Sequence, residues 1–210
     1  MTSGSQASTP RVGDARIHPG FRRSILTHRL PDWALAGRGH WRHRGQERPP
    51  FADRPGPGQE SVWDYPRPPR LVPDSRLVEV RLEDRVIGST RGALRMLETA
   101  SPPTVYLPPD DLDVELLQEV GGGSRCEWKG EATYWDVVVG SRRLTRVGWS
   151  YPAPFAPYES MAGFLSFYPA ALECRIDGER VLPQPGGFYG GWVTSEIAGP
   201  FKGEPGTGGW

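Results

Sequence analysis

Lysine is nearly missing from this 210-residue sequence. Of its 25 basic residues 23 are Arg, and only Lys129 and Lys202 carry an amine. Cysteine is as sparse: Cys126 and Cys174 stand 47 residues apart. No apolar export signal opens the chain, so two reduced thiols are expected, with a disulfide as the alternative should their strands meet. Histidine occurs only at His18, His28, His40 and His43, all within the first 43 residues. Zinc takes about four Cys, His or carboxylate ligands, commonly in close pairs. There is no CxxC and no histidine beyond residue 43, so neither a metal site nor a Ser-His-Asp or Cys-His pair is expected in the folded part. No cofactor is expected either.

Net charge is missing too. The 25 acids cancel the 25 bases, which excludes a globally basic nucleic-acid binder. No run approaches the roughly 18 apolar residues of a membrane helix. A soluble, cytoplasmic protein with no membrane contact is expected. What the chain does have is Gly and Pro (27 and 23) and 22 aromatics, eight of them Trp. The first two break regular structure; the aromatics supply enough bulk for a core.

Charge divides the chain. Residues 1–70 carry 12 Arg and 6 acids, and the remaining 140 carry 13 bases and 19 acids. Residues 1–60 hold seven Pro and eight Gly with little alternation, predicting a basic, mostly disordered arm. Within it, Phe21, Ile25, Leu26, Leu30 and Trp33 would line one helical face, with Arg22, Arg23 and Arg29 opposite. Such a segment would lie on the acidic domain, stay loose, or recruit a partner or, weakly, a nucleic acid.

Folded material is expected from residue 61. Trp63 to Arg70 is too proline-rich for helix and reads as an extended strap. Leu77–Leu82 and Val86–Gly88 form a predicted hairpin. Ser89 or Thr90 would cap a helix with Ala93, Leu94 and Leu97 inward, ending before Pro102-Pro103. Thr104–Leu107 reads as a strand. Asp110–Val120 fits a short helix, although Leu112, Val114 and Leu116 also fit period two. Thr133–Val139, Leu144–Ser150, Phe164–Tyr168 and Glu173–Ile176 are further strands, the first two joined by a Gly140-Ser141 turn. The fold class is mainly β: a compact antiparallel barrel or sandwich with one or two short helices over residues 61–182. The tail, 183–210, is irregular, and its aromatics would pack it on the domain.

One stretch is dense enough to be a site. Cys126-Glu127-Trp128-Lys129-Gly130-Glu131-Ala132-Thr133-Tyr134-Trp135 gathers a thiol, both charges and three large aromatics. Lys129 beside Trp128, Tyr134 and Trp135 would be partly desolvated, suiting a base or a point charge for phosphate or carboxylate. Equally, it would pair with Glu127 or Glu131 while the rings fill the core. A second aromatic loop, Trp149 to Tyr158, contains Tyr151. Were it to lie beside the first, the two would wall a cleft.

These features, in this order, resemble a known family. The Trp63-x-Tyr-Pro-Arg-Pro-Pro strap, Ser89-Thr-Arg-Gly-Ala-Leu-Arg-Met-Leu-Glu-Thr, a Pro-Pro-x-Val-Tyr-Leu-Pro strand, Cys126-x-x-Lys-Gly-x-Ala-x-Tyr-Trp, Trp149-Ser-Tyr-Pro and Gly163-Phe-x-x-Phe-Tyr-Pro are similar to the family called domain of unknown function 427. The likeness spans about Trp63 to Cys174, and the Gly-rich end resembles actinobacterial members. It implies a compact β domain, of the β-tent kind, in a family without an established activity. Metal-binding relatives of such a tent use paired cysteines, which are missing here. A nucleotidyltransferase label sometimes attached to the family would require Gly88-Ser89 to open a helix and Asp111 and Asp113 to hold Mg²⁺ from a strand. The 21 residues between Ser89 and Asp111, and the Pro108-Pro109 break, speak against it.

Three functions follow as expectations. The leading one is a small anionic ligand held near Lys129 by Trp128, Tyr134, Trp135, Trp149, Tyr151 and Tyr158. An enzyme is the second, either nucleotidyltransferase-like or using the thiol of Cys126 with Lys129 and Glu131. The third is an interaction module working through the basic arm.

Overall fold

The computed structural model describes residues 30–210. Most of the expected helix over residues 21–33 lies outside them. Within the described part, the short helix α1 (Asp32–Arg38) is followed by a strap that lies on the β domain rather than away from it. Strand β1 (Glu60–Ser61) leads to a single 3-10 turn, Val62–Asp64, whose Trp63 is buried.

The next five strands are β2 (Arg70–Asp74), β3 (Val78–Leu82), β4 (Arg85–Thr90), β5 (Ala93–Glu98) and β6 (Ser101–Tyr106). The predicted hairpin is β3–β4, and in β3 Val78, Val80 and Leu82 point inward as their alternation requires. The predicted helix after Ser89 is not formed; its residues are β5. The Thr90 hydroxyl accepts from the Gly92 N–H at 2.8 Å, the bond a helix cap would make, but it closes a turn between strands. Both edges of β5 are then paired, with β2 and β6. Long-range pairing outweighs the local periodicity of Ala93, Leu94 and Leu97. Pro102 and Pro103 belong to β6, which ends its three-stranded sheet, where a missing N–H is tolerated.

Asp110–Val120 is not a helix either. Two 3-10 turns, Pro109–Asp111 and Val114–Leu116, lead into β7 (Leu117–Cys126). The Asp113 N–H is held by the Ile87 carbonyl at 2.8 Å, which fixes this segment along β4. Then come β8 (Gly130–Val139), β9 (Arg142–Ser150) and β10 (Leu165–Phe167), joined to β7 in a second, antiparallel sheet ordered β10-β9-β8-β7. Strand β11 (Glu173–Ile176) adds to β3 and carries β12 (Glu179–Arg180) on its other side. Three short strands finish the chain: β13 (Leu182–Pro183), β14 (Trp192–Val193) and β15 (Ile197–Ala198).

The architecture is mainly β and largely antiparallel, in several small sheets that do not close into a barrel. The principal core joins Val78, Val80, Ile87, Leu165, Phe167 and Trp192 across the sheets. A buried aliphatic or Phe side chain of this kind contributes about 1.5–3 kcal/mol. Trp192 belongs to the tail, and its indole donates to the Phe167 carbonyl at 3.0 Å. The tail is therefore tied into the domain, and β15 pairs in parallel with β1 of the strap. No described helix is long and apolar enough to cross a membrane.

Candidate functional site

The β7–β8 hairpin closes with Cys126 opposite Gly130, so Glu127, Trp128 and Lys129 form its turn. Lys129 is buried there. Its carbonyl accepts from the Phe155 N–H at 3.1 Å, which fastens the second aromatic loop to the first. Trp149 ends β9, and Tyr151 follows it. Lys129, Trp128, Cys126, Tyr134, Trp149 and Tyr151 thus face one cavity of about 200 Å³. Tyr106 from β6 and Tyr168 lie in the same wall.

Two of the expected ligand contacts, Trp135 and Tyr158, and the catalytic candidate Glu131 lie elsewhere. Trp135 is in the principal core, its indole donating to the Ser150 hydroxyl at 2.9 Å. Strand alternation places it on the face of β8 opposite Tyr134. Tyr158 is buried, with its hydroxyl donating to the Pro69 carbonyl at 2.8 Å. Glu131 is exposed and pairs with Arg125 at 3.0 Å. The expected pairing of Lys129 with Glu127 or Glu131 is not formed: Glu127 instead accepts from the Trp41 indole at 2.6 Å.

The other half of the cavity comes from segments that the sequence left unstructured. Trp41 enters from the strap; Gln184, Phe188, Tyr189 and Lys202 enter from the tail. Tight packing holds the tail here. A Cβ on Gly190 would stand 2.0 Å from the Trp149 ring, and one on Gly203 (φ +138°) would stand 2.0 Å from the Pro185 carbonyl oxygen. Gln184 clamps the same turn, donating to the Lys202 carbonyl at 2.6 Å and accepting from the Gly191 N–H at 3.1 Å.

Lys202 is the residue that sequence reasoning passed over, although its rarity was a signal. Both lysines of the chain are buried, and both line this cavity. Every ion pair among the described residues uses Arg. Neither Nζ hydrogen-bonds to a described residue; both meet aromatic faces instead. Lys129 Nζ is 5.6 Å from the Tyr151 ring centroid, and Lys202 Nζ is 3.8 Å and 4.2 Å from those of Trp41 and Tyr189.

The two amines differ electrostatically. Burial opposes the charge on Lys129, but Cys126, Tyr151, Tyr106 and Glu98 outweigh it and hold its pKa well above the ordinary lysine value. At Lys202 burial wins, helped by Arg67 and Lys129, and the pKa falls to about 8 against the pull of Glu98 and Glu127. Neither carboxylate is idle: Glu98 pairs with the buried Arg67 at 3.1 Å, and Glu127 holds Trp41. Two buried polar atoms on the wall, Tyr106 Oη and Trp128 Nε1, have no hydrogen-bond partner among the described residues. The Trp149 indole acts on the Tyr106 phenol without completing such a bond, and burial raises that phenol to about 12.

The arrangement that nucleotidyl transfer would ask of Gly88-Ser89, Asp111 and Asp113 is not formed. Gly88-Ser89 lies inside β4 and opens no helix. Asp111 accepts from Thr90, and Asp113 pairs with Arg85 at 2.9 Å. No group of three His, Cys, Asp or Glu suited to a metal occurs among the described residues.

The fold and the hollow define a largely antiparallel β domain with an aromatic cavity shared by the domain, its strap and its tail. Residues 70–181, over half of the chain, match the family described as "Domain of unknown function (DUF427)", and the chain belongs to that family. No curated protein matches it.

Proposed function

We propose that this protein binds a small anionic molecule in the cavity between Lys129 and Lys202. The observation that carries the reading is the pair of buried ammonium groups, neither neutralised by a carboxylate contact. At Lys202, where burial outweighs its neighbours, the unpaired charge is costly and a bound anion removes that cost, while Lys129 is held charged to meet the same anion. The aromatic walls suit a flat, partly apolar body. Size narrows the class. An apolar cavity of about 150 Å³ takes up benzene. The 200 Å³ here, in a hollow open on one side, accommodates one ring with its carboxylate or phosphate. The reading places the protein in the cytoplasm, where its free thiols Cys126 and Cys174 stay reduced.

Thermal unfolding with benzoate tests this, with uncharged benzamide as the control. Saturation at about 100 times the dissociation constant adds roughly 2.7 kcal/mol, several degrees of melting temperature. Benzoate is expected to stabilise the wild type and Tyr158→Phe, whose ring lies outside the cavity, and to leave Lys129→Ala unmoved. Equal shifts in wild type and Lys129→Ala would overturn the reading.

A further inference from the structure

We infer that Lys202 is a carbonyl-capturing lysine, forming an imine with a small aldehyde or oxo acid whose anionic end is held by Lys129. This rests on the anion-binding reading above and names the substrate class for that site.

Residue choice supplies the first argument. Among the described residues, ion pairing is left to arginine, and the two amines of the chain stand in one cavity. A guanidinium supplies charge and hydrogen bonds as well as an amine does, but it keeps its proton. Only an amine can release one and form a carbon–nitrogen bond. The division of labour follows from the surroundings: Lys129 is held charged and suits an anchor, whereas burial brings the Lys202 amine within reach of its neutral, nucleophilic form.

Geometry supplies the second. The Lys202 backbone is fixed on both sides: its N–H donates to the Ala100 carbonyl at 2.7 Å, and its carbonyl accepts from Gln184. Its Nζ lies over the rings of Trp41 and Tyr189, free of the hydrogen bonds that would occupy its lone pair once neutral. The Tyr106 hydroxyl, buried and without a hydrogen-bond partner among the described residues, lines the same cavity as a spare donor.

The chemistry balances without a redox partner. The neutral amine attacks the carbonyl carbon, and the resulting carbinolamine loses its hydroxyl as water. One C=O bond is exchanged for one C=N bond, and both protons carried off in the water come from the amine nitrogen, one on addition and one on dehydration.

The test uses 4-carboxybenzaldehyde, which combines ring, anion and carbonyl, with the full chain and cyanoborohydride to reduce any imine to a stable amine. Peptide mass mapping then locates the adduct among Lys129, Lys202 and the α-amine. Lys202 is expected to be modified at least 10-fold faster than the α-amine. Benzaldehyde, lacking the anion, should react at least 10-fold more slowly, and excess benzoate should protect. Lys202→Arg is expected to abolish the adduct, with its melting curve confirming that it folds. Modification of Lys202 no faster than the α-amine, or preferential modification of Lys129, would overturn the proposal. Benzoate stabilisation without an adduct would sink the imine and leave the anion site standing; loss of both would remove the two together.

Discussion

Lys202 Nζ rests 3.8 Å from the centroid of the Trp41 ring, so the tail's amine is seated on the strap's indole directly beside the cavity. Exchange of that amine has a predictable effect on stability. Burial lowers its pKa to about 8, whereas an unfolded lysine titrates near 10.4. Between these values the unfolded chain binds more protons, so this residue makes stability rise with pH from about 8 to about 10.4. Below pH 8 the whole penalty is present. Lys202→Met should therefore raise the melting temperature at pH 7 and flatten that rise. The gain is on the order of 3 kcal/mol before subtracting the lost cation–π contact, about 0.5–2 kcal/mol. A lower melting temperature for the variant at pH 7 would show that the amine is not under that penalty.

Trp41→Ala removes the ring beneath Lys202 and the 2.6 Å hydrogen bond to Glu127 in one step. The freed carboxylate then competes with a bound anion for the amines. Benzoate affinity, measured by calorimetry, is expected to fall at least 10-fold, about 1.4 kcal/mol. Unchanged affinity would mean that the strap takes no part in the site.

The two thiols should separate cleanly under iodoacetamide at pH 7. Cys126 is half-buried on the cavity wall, and Cys174 is 1% exposed in the core, where burial pushes its thiol up. Cys126 is expected to react in the folded protein, and more slowly with benzoate present. Cys174 should react only after unfolding. Equal rates at the two positions would contradict this packing.

Arg67 fastens the strap and the chain end to the domain. Its guanidinium donates to the carbonyls of His43, Trp210 and Thr99 and to Glu98, with the side chain fully buried. Arg67→Ala leaves the half-buried Glu98 without its partner and three backbone carbonyls without their donor, and should cost about 3 kcal/mol in urea unfolding. Arg67→Lys should recover little, because one ammonium cannot reproduce the planar fork. A loss below about 1 kcal/mol for the alanine variant would argue that these contacts add nothing.

The strand that alternates cleanly, β3, was legible because period two is a local property. The segment that became β5 was not. Its Thr90 cap and its spacing are as compatible with a helix as with a strand, and partners far along the chain decide between them. In the site, Cys126, Trp128, Lys129 and Tyr134 could be read because one hairpin turn concentrates them. Trp149 and Tyr151 could be guessed from composition, but their meeting with Lys129 could not. Trp135 and Tyr158 show the limit of counting rings, since only alternation and burial separate a wall from a core. Trp41 and Lys202 were hidden because they enter from Gly- and Pro-rich chain, whose path is set by the domain beneath it.

Trp41, Gln184, Tyr189 and Lys202 all fall outside residues 70–181. A relative sharing only that span would inherit the Lys129 side of the hollow without its counterpart. The ends are therefore not interchangeable trim: exchanging them would remodel the Lys202 side of the hollow and at the same time take Trp192 out of the core.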